Sequence, residues 1–246
     1  MRIKGVGGMR RVDRSLPGLV LAGLMALSPE WALAAGARAA TAPSTSPAPA
    51  EPAPTDPEEI AARKAWLDAR AAHGDDDGRT LSAAREYAFQ MAFNDKAAPA
   101  IALMSDTLDR VRRLTGATSK ETGTIAADLG WILMDNERFA EAEAPLAQAW
   151  AILKVAQPPR DGTAFRILGY LTTTQTALGR GAERLPDYDA VIAARRAAFG
   201  DTGDTLKALA AKADLLVELK RGAEAEPILL QIVEARRAAG GDPRDL

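Results

Sequence analysis

The chain has 246 residues, 47% hydrophobic but only 5% aromatic, with a formal net charge of −2. It contains no cysteine, which excludes a disulfide framework, a thiolate metal site and a thiol nucleophile. No basic excess points to nucleic acid as a partner, and the scarcity of β-branched and aromatic runs argues against a large sheet.

Residues 1–34 have the three-part layout of a secretory signal peptide. Arg2, Lys4, Arg10, Arg11 and Arg14 precede an apolar segment, Leu16 to Leu27, and Ala32-Leu-Ala34 supplies a small-x-small cleavage site. The apolar segment is broken by Pro17 and is too short for the roughly 20 residues that cross a bilayer. We therefore expect export with cleavage after Ala34, and membrane attachment only if this segment is retained. Without it the chain carries 26 Lys and Arg against 31 Asp and Glu, a net of −5. Residues 35–57 follow as a linker rich in Ala and Pro, with prolines at 43, 47, 49, 52, 54 and 57, a composition that builds no core.

The folded part is expected over 58–241, ahead of a short tail at 242–246. It opens with a helix over 58–73, for which Asp56 is the N-cap, Pro57 the first helical residue and Glu59 the capping-box position. From there the sequence repeats. Gly181 to Gly200 aligns without a gap on Gly222 to Gly241, 41 residues later, with ten identities that include Pro186/Pro227, Arg195/Arg236 and Arg196/Arg237. Gly74, Gly116 and Gly200 mark the same joint at one-period and two-period intervals. Each period holds two helical patterns, such as Ala126, Leu129, Gly130 and Leu133, then Ala142, Leu146, Ala149 and Leu153. Hairpins are predicted at about 78–115, 120–157, 162–200 and 203–240, each with an apolar face that a neighbour must cover. The fold class is all-α, a solenoid of stacked antiparallel helical hairpins.

Leu129, Gly130, Leu133, Ala142, Leu146 and Ala149 resemble the tetratricopeptide-repeat family, with its order of large, small, large, then Ala, large, Ala. The period exceeds the ~34 residues of the standard unit. With Ala225-Glu-Pro-Ile228 and the Gly-Asp joints at Gly200 and Gly241, it is similar to the longer variety found in kinesin light chains. The resemblance implies a right-handed solenoid with a concave face lined by first helices. Repeat three departs from the pattern at Arg184 and repeat four at Lys212.

The residues offer little chemistry. His73 is the only histidine, at a helix end, so neither a triad nor a histidine metal site can form. Asp75-Asp-Asp-Gly78 starts like a calcium loop, but Arg79 and Thr80 stand where an oxygen ligand and glycine are needed. No cofactor is expected. Arg195-Arg196 and Arg236-Arg237 read as helix-end charges on the outer layer.

On the face that the resemblance implies, the binding candidates are Arg85 and Phe89, then Trp131 and Asp135, then Lys207, Asp214 and Glu218. Phe93 accompanies the first pair, while Gly169, Thr173 and Thr176 give the third repeat a near-neutral floor. Phe89 and Trp131 are either apolar anchors for a ligand or packing between hairpins. The expected function is an exported, periplasmic or secreted, non-catalytic scaffold that binds an unidentified protein or peptide in the cell envelope. The alternative is a structural envelope protein that self-associates, as a homodimer through the C-terminal hairpin, where Leu229, Ile232 and Val233 lack a cap. An enzyme of unrecognised type ranks third.

Overall fold

The computed structural model describes residues 54, 56–156 and 162–238. The expected signal segment, almost all of the linker and the tail at 242–246 lie outside the described residues. Helix α1 spans Pro57–His73, α2 Gly78–Phe93, α3 Ala97–Thr115, α4 Lys120–Asp135 and α5 Phe139–Ala156. Then follow α6 Gly162–Ala177, α7 Leu185–Phe199, α8 Gly203–Glu218 and α9 Gly222–Ala238. There is no strand among the described residues.

The helix starts follow from local chemistry. The Asp56 carboxylate accepts from the backbone N–H groups of Glu58 and Glu59, with Pro57 opening α1. Asp77 caps α2 through the Arg79 N–H at 2.9 Å, and Ser119 caps α4 through the Thr122 N–H at 3.0 Å. Glu59 does not close a capping box. It is 1% exposed and accepts from Asn94 Nδ2 at 2.9 Å and Lys96 Nζ at 2.6 Å, which ties α1 to the turn between α2 and α3.

Two joints recur. Between hairpins, Gly74, Gly116 and Gly200 take φ of +83°, +100° and +67°, a region side chains disfavour. The carbonyls of Gly116 and Gly200 accept from the hydroxyls of Thr122 and Thr205, at 2.7 and 2.8 Å. Inside hairpins, Asp95, Glu137, Gly179 and Lys220 adopt φ of +60°, +59°, +77° and +61°. The following N–H of Lys96, Arg138, Arg180 and Arg221 bonds back to the carbonyl of Met91, Leu133, Gln175 and Leu216, a Schellman closure repeated four times.

Consecutive helices pack against one another, α6 and α7 meeting mainly through the turn at 181–184 and the Phe165–Tyr188 ring contact, and first helices also touch directly, α2 on α4 and α4 on α6. A layer whose members meet side to side has the smaller radius, so these helices line the inner face. Within the second hairpin Ala142, Leu146, Ala149 and Leu153 are fully buried. Gly130 lets Leu146 close onto α4, since a Cβ there would stand 2.4 Å from Leu146 Cγ.

The two departures from the repeat pattern have local consequences. At Arg184 the second helix of the third hairpin begins with a 3₁₀ turn, Gly181–Arg184, and Arg184 Nη1 donates to Asp187 Oδ2 at 2.6 Å. Lys212 turns to Asp189 of α7 at 2.5 Å. Two expectations are corrected. Arg195 is not an outer-layer charge: it is 4% exposed, donates to the Asp204 carbonyl at 2.8 Å and lies 4.3 Å over the Phe165 ring. Only its neighbour Arg196 is a surface charge, paired with Asp201. Ile232 is 1% exposed and Val233 half-buried, so among the described residues the uncovered large apolar side chains of the last hairpin are Leu229, as expected, with Leu230 and Val217.

Candidate binding face

The inner layer brings part of the predicted set together. Phe89 and Trp131 each occupy the twelfth position of their helices, α2 and α4, and meet with ring centroids 5.6 Å apart. Phe93 completes the cluster, 6.4 Å from Phe89 and 5.6 Å from Trp131. These contacts, two tilted and one stacked, add to simple area burial. Phe89 is 5% exposed, so its surface is spent on packing. Trp131 and Phe93 are only half-buried and keep an accessible edge.

Beside the aromatics sits a charge pair. Arg85 Nε donates to Asp128 Oδ2 at 2.5 Å, and the guanidinium lies 5.4 Å over the Phe89 ring. Asp128 is 2% exposed. Burial pushes its carboxyl above the ordinary range, against the pull of Arg85 and Arg166. Burial likewise opposes the Arg85 charge, but Asp128 outweighs it and holds the guanidinium up. Burial also raises the Tyr170 phenol, with Arg166 opposing and Asp128 and Asp135 reinforcing. Arg85, Asp128, Arg166 and Tyr170 thus form one polar strip across α2, α4 and α6.

Asp135 ends α4 and is exposed beside that strip. Lys207, Asp214 and Glu218 lie exposed on α8, in the last hairpin, and are not part of the aromatic cluster. Lys207 Nζ reaches Asp204 at 3.5 Å. In α6 the position of Trp131 is taken by Thr173, and Gly169 faces open space, so the floor here is shallow. Sequence reasoning missed Asp128, Arg166 and Tyr170. The signal for the first was the spacing from Arg85, 43 residues, one period plus one. Among the described residues no group of three or more acidic or histidine side chains could hold a metal. No helix there is long and apolar enough to cross a membrane.

Residues 122–156 match the tetratricopeptide-repeat family. The fold is a tetratricopeptide-repeat solenoid. The matched segment is most of the second hairpin, the one with Gly130 against Leu146. Two crystal structures from Podosopora anserina, described as a kinesin light chain with nearly identical TPR-like repeats, are similar to this solenoid. One, a point-substituted form, aligns with a TM-score of 0.64 at 15% identity, covering 74% of this chain and 94% of that one. The other aligns at 0.63 and 14% identity with the same coverage. At that identity the likeness establishes the solenoid fold alone. No curated protein matches the chain.

Proposed function

We propose that this chain is an exported, non-catalytic scaffold whose inner helix layer holds a protein or peptide. Tetratricopeptide-repeat folds are in general protein–protein interaction scaffolds. One observation carries the placement: Trp131 stands half-buried between Phe93 and the acidic end of α4, on a rigid support made by Phe89. An aromatic edge backed by packed rings and flanked by charge is a low-entropy anchor. Export is supported by the basic, apolar and small-residue sequence of 1–34.

The test is site-specific crosslinking in cells. A photoreactive residue at Trp131 should capture a partner, whereas one at Asp109, exposed on α3, should not. Adducts at Asp109 alone would overturn the inner-face assignment. Fractionation with mass measurement of the mature chain tests export, and a full-length cytosolic product would refute it. A second reading, self-association through the C-terminal hairpin, is favoured by Leu230 at 57% exposure and Val217 at 53%.

A further inference from the structure

Helix α9 has a side that the described residues leave largely uncovered. Ala225 and Ile232 bury one face of it, with Ile228 partly covered beside them. On the other side Ala223, Glu226, Leu230 and Arg237 are exposed and Val233 is half-buried, the five recurring in steps of three and four. That spacing puts them on one face of the helix. Leu230 is the most exposed large apolar side chain of the described chain, and Leu229 beside it is 40% exposed.

The charges on this face decide the occupant. Glu226 marks its N-terminal half and Arg237 its C-terminal half, and neither is paired with another described residue. A parallel copy of the helix would set Glu226 on Glu226 and Arg237 on Arg237. An antiparallel copy, related by a two-fold axis between Gln231 and Ile232, sets each Glu226 opposite an Arg237 and each Leu230 opposite a Val233. The helix dipoles also oppose favourably in that arrangement. The stripe is therefore self-complementary, as a two-fold contact requires.

We infer that α9 docks antiparallel on α9 of a second copy, with Leu230 and Val233 at the centre and Glu226–Arg237 pairs at both ends. This deepens the self-association reading and is independent of what the inner face holds. One 17-residue helix on another makes a small interface, below about 1,200 Å², so the dimer is weak and reversible.

Sedimentation velocity of the full chain across a concentration series reaching the high-micromolar range tests it. The expected result is a monomer–dimer equilibrium. Leu230→Glu, Glu226→Arg and Arg237→Glu should each weaken it by about tenfold or more. The double reversal, Glu226→Arg with Arg237→Glu, should return the affinity to within about threefold of the parent. Circular dichroism checks that each variant keeps its helix content, as expected for exposed positions. A monomer at every concentration would overturn self-association altogether. A dimer indifferent to the single reversals, or not restored by the double, would overturn this pairing while self-association stood.

Discussion

Gly130 and Gly169 both sit inside first helices, and alanine should have opposite effects at the two. In an exposed helix interior Gly→Ala adds about 1 kcal/mol of stability. At Gly169 a new Cβ meets nothing within 4 Å, so that gain should appear in full. At Gly130 the Cβ would stand 2.4 Å from Leu146 Cγ, 2.6 Å from Cδ2 and 3.3 Å from the Leu146 backbone nitrogen. Leu146 is fully buried, so it cannot swing out into solvent. Overpacking of this kind costs about 1–3 kcal/mol, and here the backbone must move as well, so a net loss of about 1–2 kcal/mol is expected. Urea unfolding of both variants measures it. A double-mutant cycle sharpens the test, because Leu146→Ala alone should cost about 2–5 kcal/mol, and less when residue 130 is already alanine. If Gly130→Ala raised the urea midpoint as Gly169→Ala does, the close approach of α4 and α5 would be refuted.

Four further outcomes follow from the same geometry. Asp77, bonded to Arg79, has its pKa lowered from 3.8 to about 2, so its cap on α2 is intact above the unfolded value and lost as pH falls from 3.8 toward 2. Asp77→Ala should cost about 1 kcal/mol at neutral pH, while Asp77→Asn should keep the cap and flatten that acid limb in a pH series of urea titrations. Glu137→Gly and Lys220→Gly should each be neutral to stabilising, up to about 1 kcal/mol, since both positions hold a side chain at positive φ; a loss in thermal melts would contradict this. Arg195→Ala should cost about 2–3 kcal/mol because it removes a buried charge-assisted bond and a ring contact, while Arg196→Ala next door should stay within about 0.5 kcal/mol. Amide exchange should be fastest in α9 at low protein concentration and slow as concentration rises; exchange independent of concentration would leave the terminal helix without a cap.

The repeat was legible because its causes are local and recur. Three joints among the described residues turn at positive φ, which writes Gly74, Gly116 and Gly200 into the chain. Each hairpin must bring two helix axes close, which writes Gly130, Ala142 and Ala149. The solenoid can be read from those marks alone. What was misread depends on residues distant in sequence. Arg195 looked like Arg236 one period later, and nothing nearby reveals that Phe165 and the Asp204 carbonyl enclose it. Glu59 fits a capping box by spacing, yet Asn94 and Lys96 outcompete the local N–H. Ile232 and Leu230 are two positions apart on a helix whose covered side the period does not give, so which of them is bare had to come from packing. On the inner face, Trp131 could be placed from its register. The acidic partner of Arg85 is marked only by its 43-residue spacing, a signal that becomes readable once α2 and α4 are known to touch.

Support along the array is uneven, and this bears on where recognition can sit. In a stacked solenoid each hairpin draws stability mainly from its two neighbours. The second hairpin has both, and its helix α5 carries four fully buried residues at Ala142, Leu146, Ala149 and Leu153. Among the described residues, helix α9 has a neighbour on one side and buries Ala225 and Ile232 alone. A ligand anchored at Trp131 therefore meets a surface already ordered by packing, and little of its binding energy goes into fixing the site. A contact at α9 works the other way: it orders the least supported helix, so the association is weaker by the amount needed to order it. On the proposed reading the two surfaces suit different tasks, durable recognition on the inner face of the second hairpin and reversible self-pairing at the last described helix.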